Sequence, residues 1–163
     1  MAIKRSILIR PFVGITYNGN EIEFGMNQNE IANLCGNPTK FYVNNSSKKI
    51  EEPREGRLLT YEFEDNYFTR TEKLKIIEIT IGTGWTIFYE DIDIFNDSDA
   101  ILKLSEFDLP TPNNGKYINF YNLGISLGGF GKKKIDENKI IFIFSKDKIE
   151  HFEMLFKIGG GKI

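Results

Sequence analysis

Carboxylates spaced two apart are the first residues of this chain that could do chemistry. Asp91 with Asp93, and Glu62 with Glu64, are such pairs. On a strand the two members share a face, and a close pair can hold one raised pKa for acid–base work. The same spacing is common on solvated strand faces, so the pattern alone does not make a hydrolase. A thiol nucleophile would have to be Cys35, the one cysteine, with His151, the one histidine, as its base. Cys35 falls at the expected C-terminal end of a helix, where the dipole opposes a thiolate. It reads as a small buried residue there, and His151 as a surface histidine between Glu150 and Glu153. One Cys and one His form no ligand set for a transition metal. The stretch Gly124-Ile-Ser-Leu-Gly-Gly-Phe-Gly131 lacks the G-x-x-x-x-G-K-[ST] pattern, and Ser126 is not in a G-x-S-x-G elbow. It reads as a glycine-rich hairpin; the basic run at 132–134 is offset by Asp136 and Glu137, and the glycines at 159–161 read as a flexible tail. Neither an enzyme nor a cofactor is expected.

A local concentration of charge stands above this background. From Ile76 to Leu102 there is no Lys or Arg, while the window holds Glu78, Glu90, Asp91, Asp93, Asp97 and Asp99. A solvated strand edge running into an acid-rich helix start would look like this. So would an acidic surface framed by Trp85, Tyr89 and Phe95 and built to dock a basic partner, since complementary charge speeds encounter and selects partners. The interface residues expected on that reading are Tyr89, Glu90, Asp91, Asp93, Phe95, Asp97 and Asp99, the two aromatics serving as anchors. The spacing from Asp91 to Asp99 is not that of an EF-hand loop, which needs Gly at its sixth position and Glu at its twelfth.

The elements that must position these residues are mostly strands. The chain has 163 residues, a net charge of −2, 14 Phe and 7 Tyr, with hydrophobic residues at 40% and charged residues at 27%. That length suits a single domain, 1–163, that needs no disulfide staples. The near-neutral charge argues against a nucleic-acid partner. No stretch approaches a membrane span, and Ile7-Leu-Ile9 is stopped by Arg10 and Pro11, too short for a signal-peptide core. A cytoplasmic protein is expected. Strands are predicted at 3–9, 39–44, 57–63, 73–81, 85–89, 116–120, 123–127 and 138–144, where apolar residues alternate or run together. In 73–81, Leu74, Ile76 and Thr80 should share one face and Ile77, Ile79 and Ile81 the other. Asn27 with Glu30 has the form of a capping box, opening a helix that Gly36 and Pro38 close, with Ile31 and Leu34 inward. A second helix is predicted over 97–104, with Asp97 as cap and Ile101 and Leu104 inward, and a third over 147–156. Segments 45–56 and 110–116 read as loops. The expected class is α+β, a mostly antiparallel sheet with two or three short helices. A shift of 70 positions lays Ile22, Glu23, Phe24, Asn29, Ile31 and Leu34 on Ile92, Asp93, Ile94, Asp99, Ile101 and Leu104, a weak internal strand–helix–strands duplication.

Ile22-Glu-Phe-Gly-Met-Asn-Gln-Asn-Glu-Ile-Ala-Asn-Leu-Cys-Gly-Asn-Pro38 resembles the G-M-x-x-x-E-I-x-x-L-x-G-x-P opening of small immunity proteins of bacterial polymorphic-toxin systems, those of contact-dependent growth inhibition in particular. Tyr117-Ile-Asn-Phe-Tyr-Asn-Leu-Gly-Ile-Ser-Leu127 is similar to their second half. Small outer-membrane lipoprotein domains share the helix with its Gly-x-Pro stop but carry a lipobox cysteine near the start, which this chain lacks. The resemblance implies a non-enzymatic cytoplasmic protein that binds the C-terminal domain of one cognate toxin, often a nuclease, and covers its active site or substrate groove. An acidic surface would suit the basic, phosphate-binding groove of a nuclease. The alternative is a small-molecule or peptide-binding module on the same α+β sheet, with Trp85 and Phe residues lining a pocket.

Overall fold

The computed structural model of the chain describes residues 5–46, 48–65, 72–81, 85–113, 117–130 and 139–159. In chain order the elements are β1 (Arg5–Arg10), β2 (Gly14–Tyr17), β3 (Asn20–Glu23), α1 (Gln28–Cys35), β4 (Tyr42–Asn44), β5 (Lys49–Arg54), β6 (Leu59–Asp65) and β7 (Glu72–Thr80). They continue with β8 (Trp85–Tyr89), β9 (Ile92–Asp93), α2 (Ala100–Leu104), β10 (Thr111–Asn113), β11 (Tyr117–Phe120), β12 (Ile125–Gly128), β13 (Ile140–Phe144) and α3 (Ile149–Gly159). The class is α+β. The strands form two sheets, ordered β3-β2-β1-β8-β9 and β10-β11-β12-β13-β7-β6-β5-β4. Every pairing is antiparallel except that of β1 with β8. Among the described residues no helix is long and apolar enough to cross a membrane.

One core joins the two sheets. Ile7, Ile15, Ile22 and Ile87 from the smaller sheet meet Leu59, Tyr61, Ile77, Ile79, Ile125, Leu127, Ile141 and Ile143 from the larger. Alternation puts these residues on the inner faces, where burying each branched or aromatic side chain stabilises the sandwich by about 1.5–3 kcal/mol. The outer face of the larger sheet carries Ile76 and Phe144, which α3 covers with Phe152; the Phe144 and Phe152 rings stack at 4.3 Å. The centre of that sheet is therefore covered on both sides, as the unbroken apolar run Ile140–Phe144 anticipates.

Apart from β1, which has no counterpart and pairs antiparallel with β2 but parallel with β8, the strand orders of both sheets describe two copies of one unit. In each unit a hairpin (β2–β3, β8–β9) leads through a helix (α1, α2) into a four-stranded meander (β4–β7, β10–β13). The registers agree. Leu59↔Ile79 and Tyr61↔Ile77 recur as Ile125↔Ile143 and Leu127↔Ile141, and Arg54↔Leu59 recurs as Phe120↔Ile125. The bond from Phe24 N to Val13 O (2.8 Å) recurs from Ile94 N to Ile87 O (2.9 Å). The echo at Ile22/Ile92 and Phe24/Ile94 therefore reflects the hairpins. It does not extend through the helices: Ile31 is buried while Leu34 is exposed, and Ala100 and Leu104 are buried while Ile101 is half-buried.

Several expectations need correction. Segment 45–56 contains β5, and 110–116 contains β10. Pro53 is tolerated because β4 pairs with β5 only from Lys49 to Glu51, so β5 is an edge beyond that point. Pro112 likewise sits on the outermost strand. The hairpin strands β2 and β3 were not among the predicted elements. On β7, Glu62 pairs with Ile76 and Phe63 with Leu74, so Lys75 is an extra residue and the parity changes there. That bulge turns Leu74 into the same core as Ile77 and Ile79. Helix α2 begins at Ala100, and Asp97 does not cap it. Gly159 closes α3. Residues 82–84, which join the predicted strands 73–81 and 85–89, the basic run at 132–134 and the terminal glycines 160–161 lie outside the described residues.

Candidate acidic interface

The acidic segment is the β8–β9 hairpin and the turns leading to α2. Register Tyr89↔Ile92 leaves Glu90 and Asp91 as a two-residue tip, both exposed, at the edge of the five-stranded sheet. Glu90 has φ +53, in the left-handed region where Gly or Asn is the ordinary choice. The equivalent tip of β2–β3 is Asn18-Gly19.

Beyond the tip the acids are engaged with their own chain. Asp93 Oδ1 accepts from Asn96 N at 3.3 Å, and its two oxygens accept from Asn96 Nδ2 at 3.1 and 3.0 Å. Asp97 Oδ2 accepts from Asp93 N and from Lys103 Nζ, each at 3.2 Å. Asp99 Oδ1 lies 3.5 Å from the same Lys103 Nζ. The hydrogen bond to Asp97 raises the Lys103 pKa further. Of the five acids, Glu90, Asp91 and Asp99 are exposed, Asp99 in an exposed ion pair, while Asp93 and Asp97 are half-buried.

The three aromatic residues expected to frame this surface are core residues. Trp85, Ile87 and Tyr89 alternate inward along β8, and the Trp85 ring stacks on Tyr17 at 5.4 Å. Phe95 is buried with its ring 5.9 Å from Phe130. Tyr89 is buried with its ring 5.0 Å from Phe107. Tyr89 and Phe95 therefore cannot serve as exposed anchors. The apolar groups that face solvent here are ones the sequence reading passed over: Leu102, Phe107 and Leu109, at 72%, 50% and 83% exposure. Leu102 follows Ile101 on the outward side of α2, and Leu109 precedes Pro110. Helical spacing from the buried Ala100 and Leu104 was the available signal for Leu102.

The paired-carboxylate readings divide. Asp91 and Asp93 are not on one strand face, because Asp91 belongs to the turn. Glu62 and Glu64 do share the outer face of β6, but Glu64 Oε1 accepts from Lys148 Nζ at 2.5 Å. Glu62 instead faces Glu51 across the strand. Burial, then Glu78, push the Glu62 carboxyl up to about 7, and burial raises Glu78 as well. Cys35 ends α1 on the inner side of the larger sheet, and burial raises its thiol pKa. His151 is exposed on α3, on the outer side of that sheet. The sheet thus separates the only cysteine from the only histidine. No family model, curated protein or solved structure matches this chain.

Proposed function

We propose that this chain is an immunity protein, which binds the C-terminal domain of a cognate nuclease toxin in the cytoplasm and neutralises it without chemistry of its own. The observation that carries the reading is what one segment, residues 90–109, exposes. Exposed Leu102, Phe107 and Leu109 lie in the segment that also presents Glu90, Asp91 and Asp99. Exposed apolar groups in a segment with a net negative charge, Lys103 being its one cation, are the chemistry of a steered interface, with burial supplying affinity and charge supplying encounter rate. A groove that binds phosphate backbone is basic and would meet these carboxylates as it meets nucleic acid.

The test is co-expression with the C-terminal domain of the protein encoded immediately upstream. A one-to-one complex that suppresses that domain's toxicity is expected. Substituting Glu90→Lys with Asp91→Lys should slow association at low salt by about tenfold or more, while Phe107→Ala should mainly speed dissociation. Asp93 is left intact because it holds the Asn96 turn. Absence of a complex, or association rates indifferent to the charge reversal, would defeat this reading of the surface.

Strand addition is a second mode with its own observation. Strand β4 is an edge of the eight-stranded sheet, and Tyr42 and Val43 on it and Phe41 just before it are all exposed. Such an edge accepts a strand from another chain. A Val43→Lys variant that loses the toxin while the charge-reversed tip keeps it would assign binding to β4.

A further inference from the structure

The strongest unassigned feature is a cavity of about 350 Å3 in the first unit, between the β2–β3 hairpin, the C-terminal end of α1 and strands β5 and β6. Tyr61, Arg54, Cys35 and Leu34 are among its walls. Tyr61 is fully buried, yet its hydroxyl has no hydrogen-bond partner. A buried donor left unmatched is costly, and buried polar groups are paired in the great majority of cases. Beside it Arg54 spends Nε (3.0 Å) and Nη2 (2.5 Å) on a single oxygen of Glu52, leaving Nη1 unbonded among the described residues. Glu52 is itself fully buried, and its other oxygen accepts from Gln28 Nε2 at 3.3 Å.

The second unit shows that the frame does not require this chemistry. The registers place Ile118, Phe120 and Leu127 where the first unit has Glu52, Arg54 and Tyr61. One scaffold has therefore been completed with hydrocarbon on one side and with a buried ion pair and an unmatched phenol on the other. Replacing such polar groups by apolar ones of similar size is often neutral or stabilising, so their presence calls for an occupant.

We propose that this cavity is a binding site for a small uncharged molecule that has an apolar body and a carbonyl or hydroxyl oxygen, the oxygen accepting from Tyr61 Oη and Arg54 Nη1. The apolar body would lie against Leu34, Pro38 and Pro53, which also line the space. The ligand is uncharged because the Arg54 charge is matched by Glu52 and the wall also carries Glu55, so an anion meets no net positive field. Burial keeps the Cys35 thiol protonated and the Tyr61 phenol a donor. The site lies in the unit that does not carry the acidic surface, so it stands or falls independently of toxin binding.

The test uses three probes of one shape and different charge: benzamide, benzoate and benzylamine. Each is titrated into the full chain while the Arg54 Nε–Hε resonance and the Cys35 and Gly36 amides are followed by NMR. Benzamide should shift them saturably, and benzoate and benzylamine should bind about tenfold more weakly or not at all. Tyr61→Phe, which removes one oxygen, should weaken benzamide by about fivefold or more. Leu34→Trp, at a half-exposed wall position, should fill the cavity and abolish binding, with thermal melting confirming that both variants fold. The proposal is overturned if no probe binds saturably, if a charged probe binds as well as benzamide, or if Tyr61→Phe leaves benzamide binding unchanged.

Discussion

The two units share strand order and register, but they place their polar groups in opposite ways. The first carries Glu52, Arg54 and Tyr61 inside and has an Asn-Gly hairpin tip. The second has hydrocarbon at the corresponding inner-face positions, Ile118, Phe120 and Leu127, and has an acidic tip at Glu90-Asp91 and exposed Leu102, Phe107 and Leu109. Their outer faces differ too. Register sets Tyr117, Gly128 and Phe142 of the second unit against Glu51, Glu62 and Glu78 of the first. Among the described residues α3 packs on the aromatic side, with Phe142, Phe144 and Phe152 in one cluster that also takes in Ile76. A frame can be repeated at the level of alternation and hydrogen bonding while each copy is free to choose what it buries and what it shows. Positions where the two copies disagree in polarity are thus where function is most economically sought.

The largest effect should come from moving one unit's interior into the other. Glu52→Ile alone strands Arg54 without its carboxylate and should cost about 3–5 kcal/mol, the usual consequence of removing one member of a buried pair. Adding Arg54→Phe reproduces Ile118 and Phe120, and the double variant should return to within about 1 kcal/mol of the parent or exceed it. Urea denaturation of both variants checks this. A double variant as unstable as the single would show that the interiors are not interchangeable, and the correspondence between the units would be one of topology only.

The outer faces offer a pH test of intermediate size. At position 128 the second unit has no side chain, because a Cβ there would meet Ile140 Cγ2 at 2.7 Å and Tyr117 Cε1 at 2.9 Å. The equivalent Glu62 is raised from 4.5 to about 7, by burial first and by Glu78 second. Between those two values the folded protein holds a proton that the unfolded chain has released. Stability therefore falls as pH rises through that window, and the loss is complete above about 7. Glu62→Gln removes that residue's share of the dependence, leaving that of Glu78, and should be more stable than the parent by about 1–2 kcal/mol at alkaline pH, after allowance for solvent screening, and nearly equal to it at acid pH. Denaturation midpoints on either side of the window measure it. A parent whose stability is flat across the window would mean that Glu62 is solvated.

How far the sequence disclosed these differences follows from which forces acted locally. Strands β7, β8 and β13 and the Asn27 capping box were legible because alternation and capping involve residues close in sequence. Strand β5 was not, since Lys49-Ile-Glu-Glu-Pro-Arg54 has the composition of a loop and is held by Arg54, Gln28 and the register with β6. Glu52 could not be recognised as buried, because half of what satisfies it, Gln28, lies 24 residues away. The duplication was visible only in part. Its offset is 70 at Phe24/Ile94, 66 at Leu59/Ile125 and 64 at Ile79/Ile143, so no single shift aligns both hairpin and meander. The acidic tip was found by charge alone. Tyr89 and Phe95 were misplaced because the same alternation that makes a strand turns half its aromatics inward.

The smallest effect bears on the acids that the proposed interface would use. In α1 the Asn27 side chain accepts from Glu30 N at 2.8 Å and Glu30 Oε1 accepts from Asn27 N at 3.3 Å, a reciprocal cap. In α2 the residue in the capping position is Asp99, which makes no capping hydrogen bond and lies beside Lys103 instead. Asn27→Ala should therefore cost about 1 kcal/mol, while Asp99→Ala should stay within about 0.5 kcal/mol of the parent, an exposed ion pair contributing little. Thermal melts of the two variants suffice. If Asp99→Ala costs as much as Asn27→Ala, the carboxylate is holding its helix in solution and belongs to the fold. If it costs nothing but slows capture of the toxin domain, the charge is maintained for the partner, and the second unit has given up a helix cap to keep it at the surface.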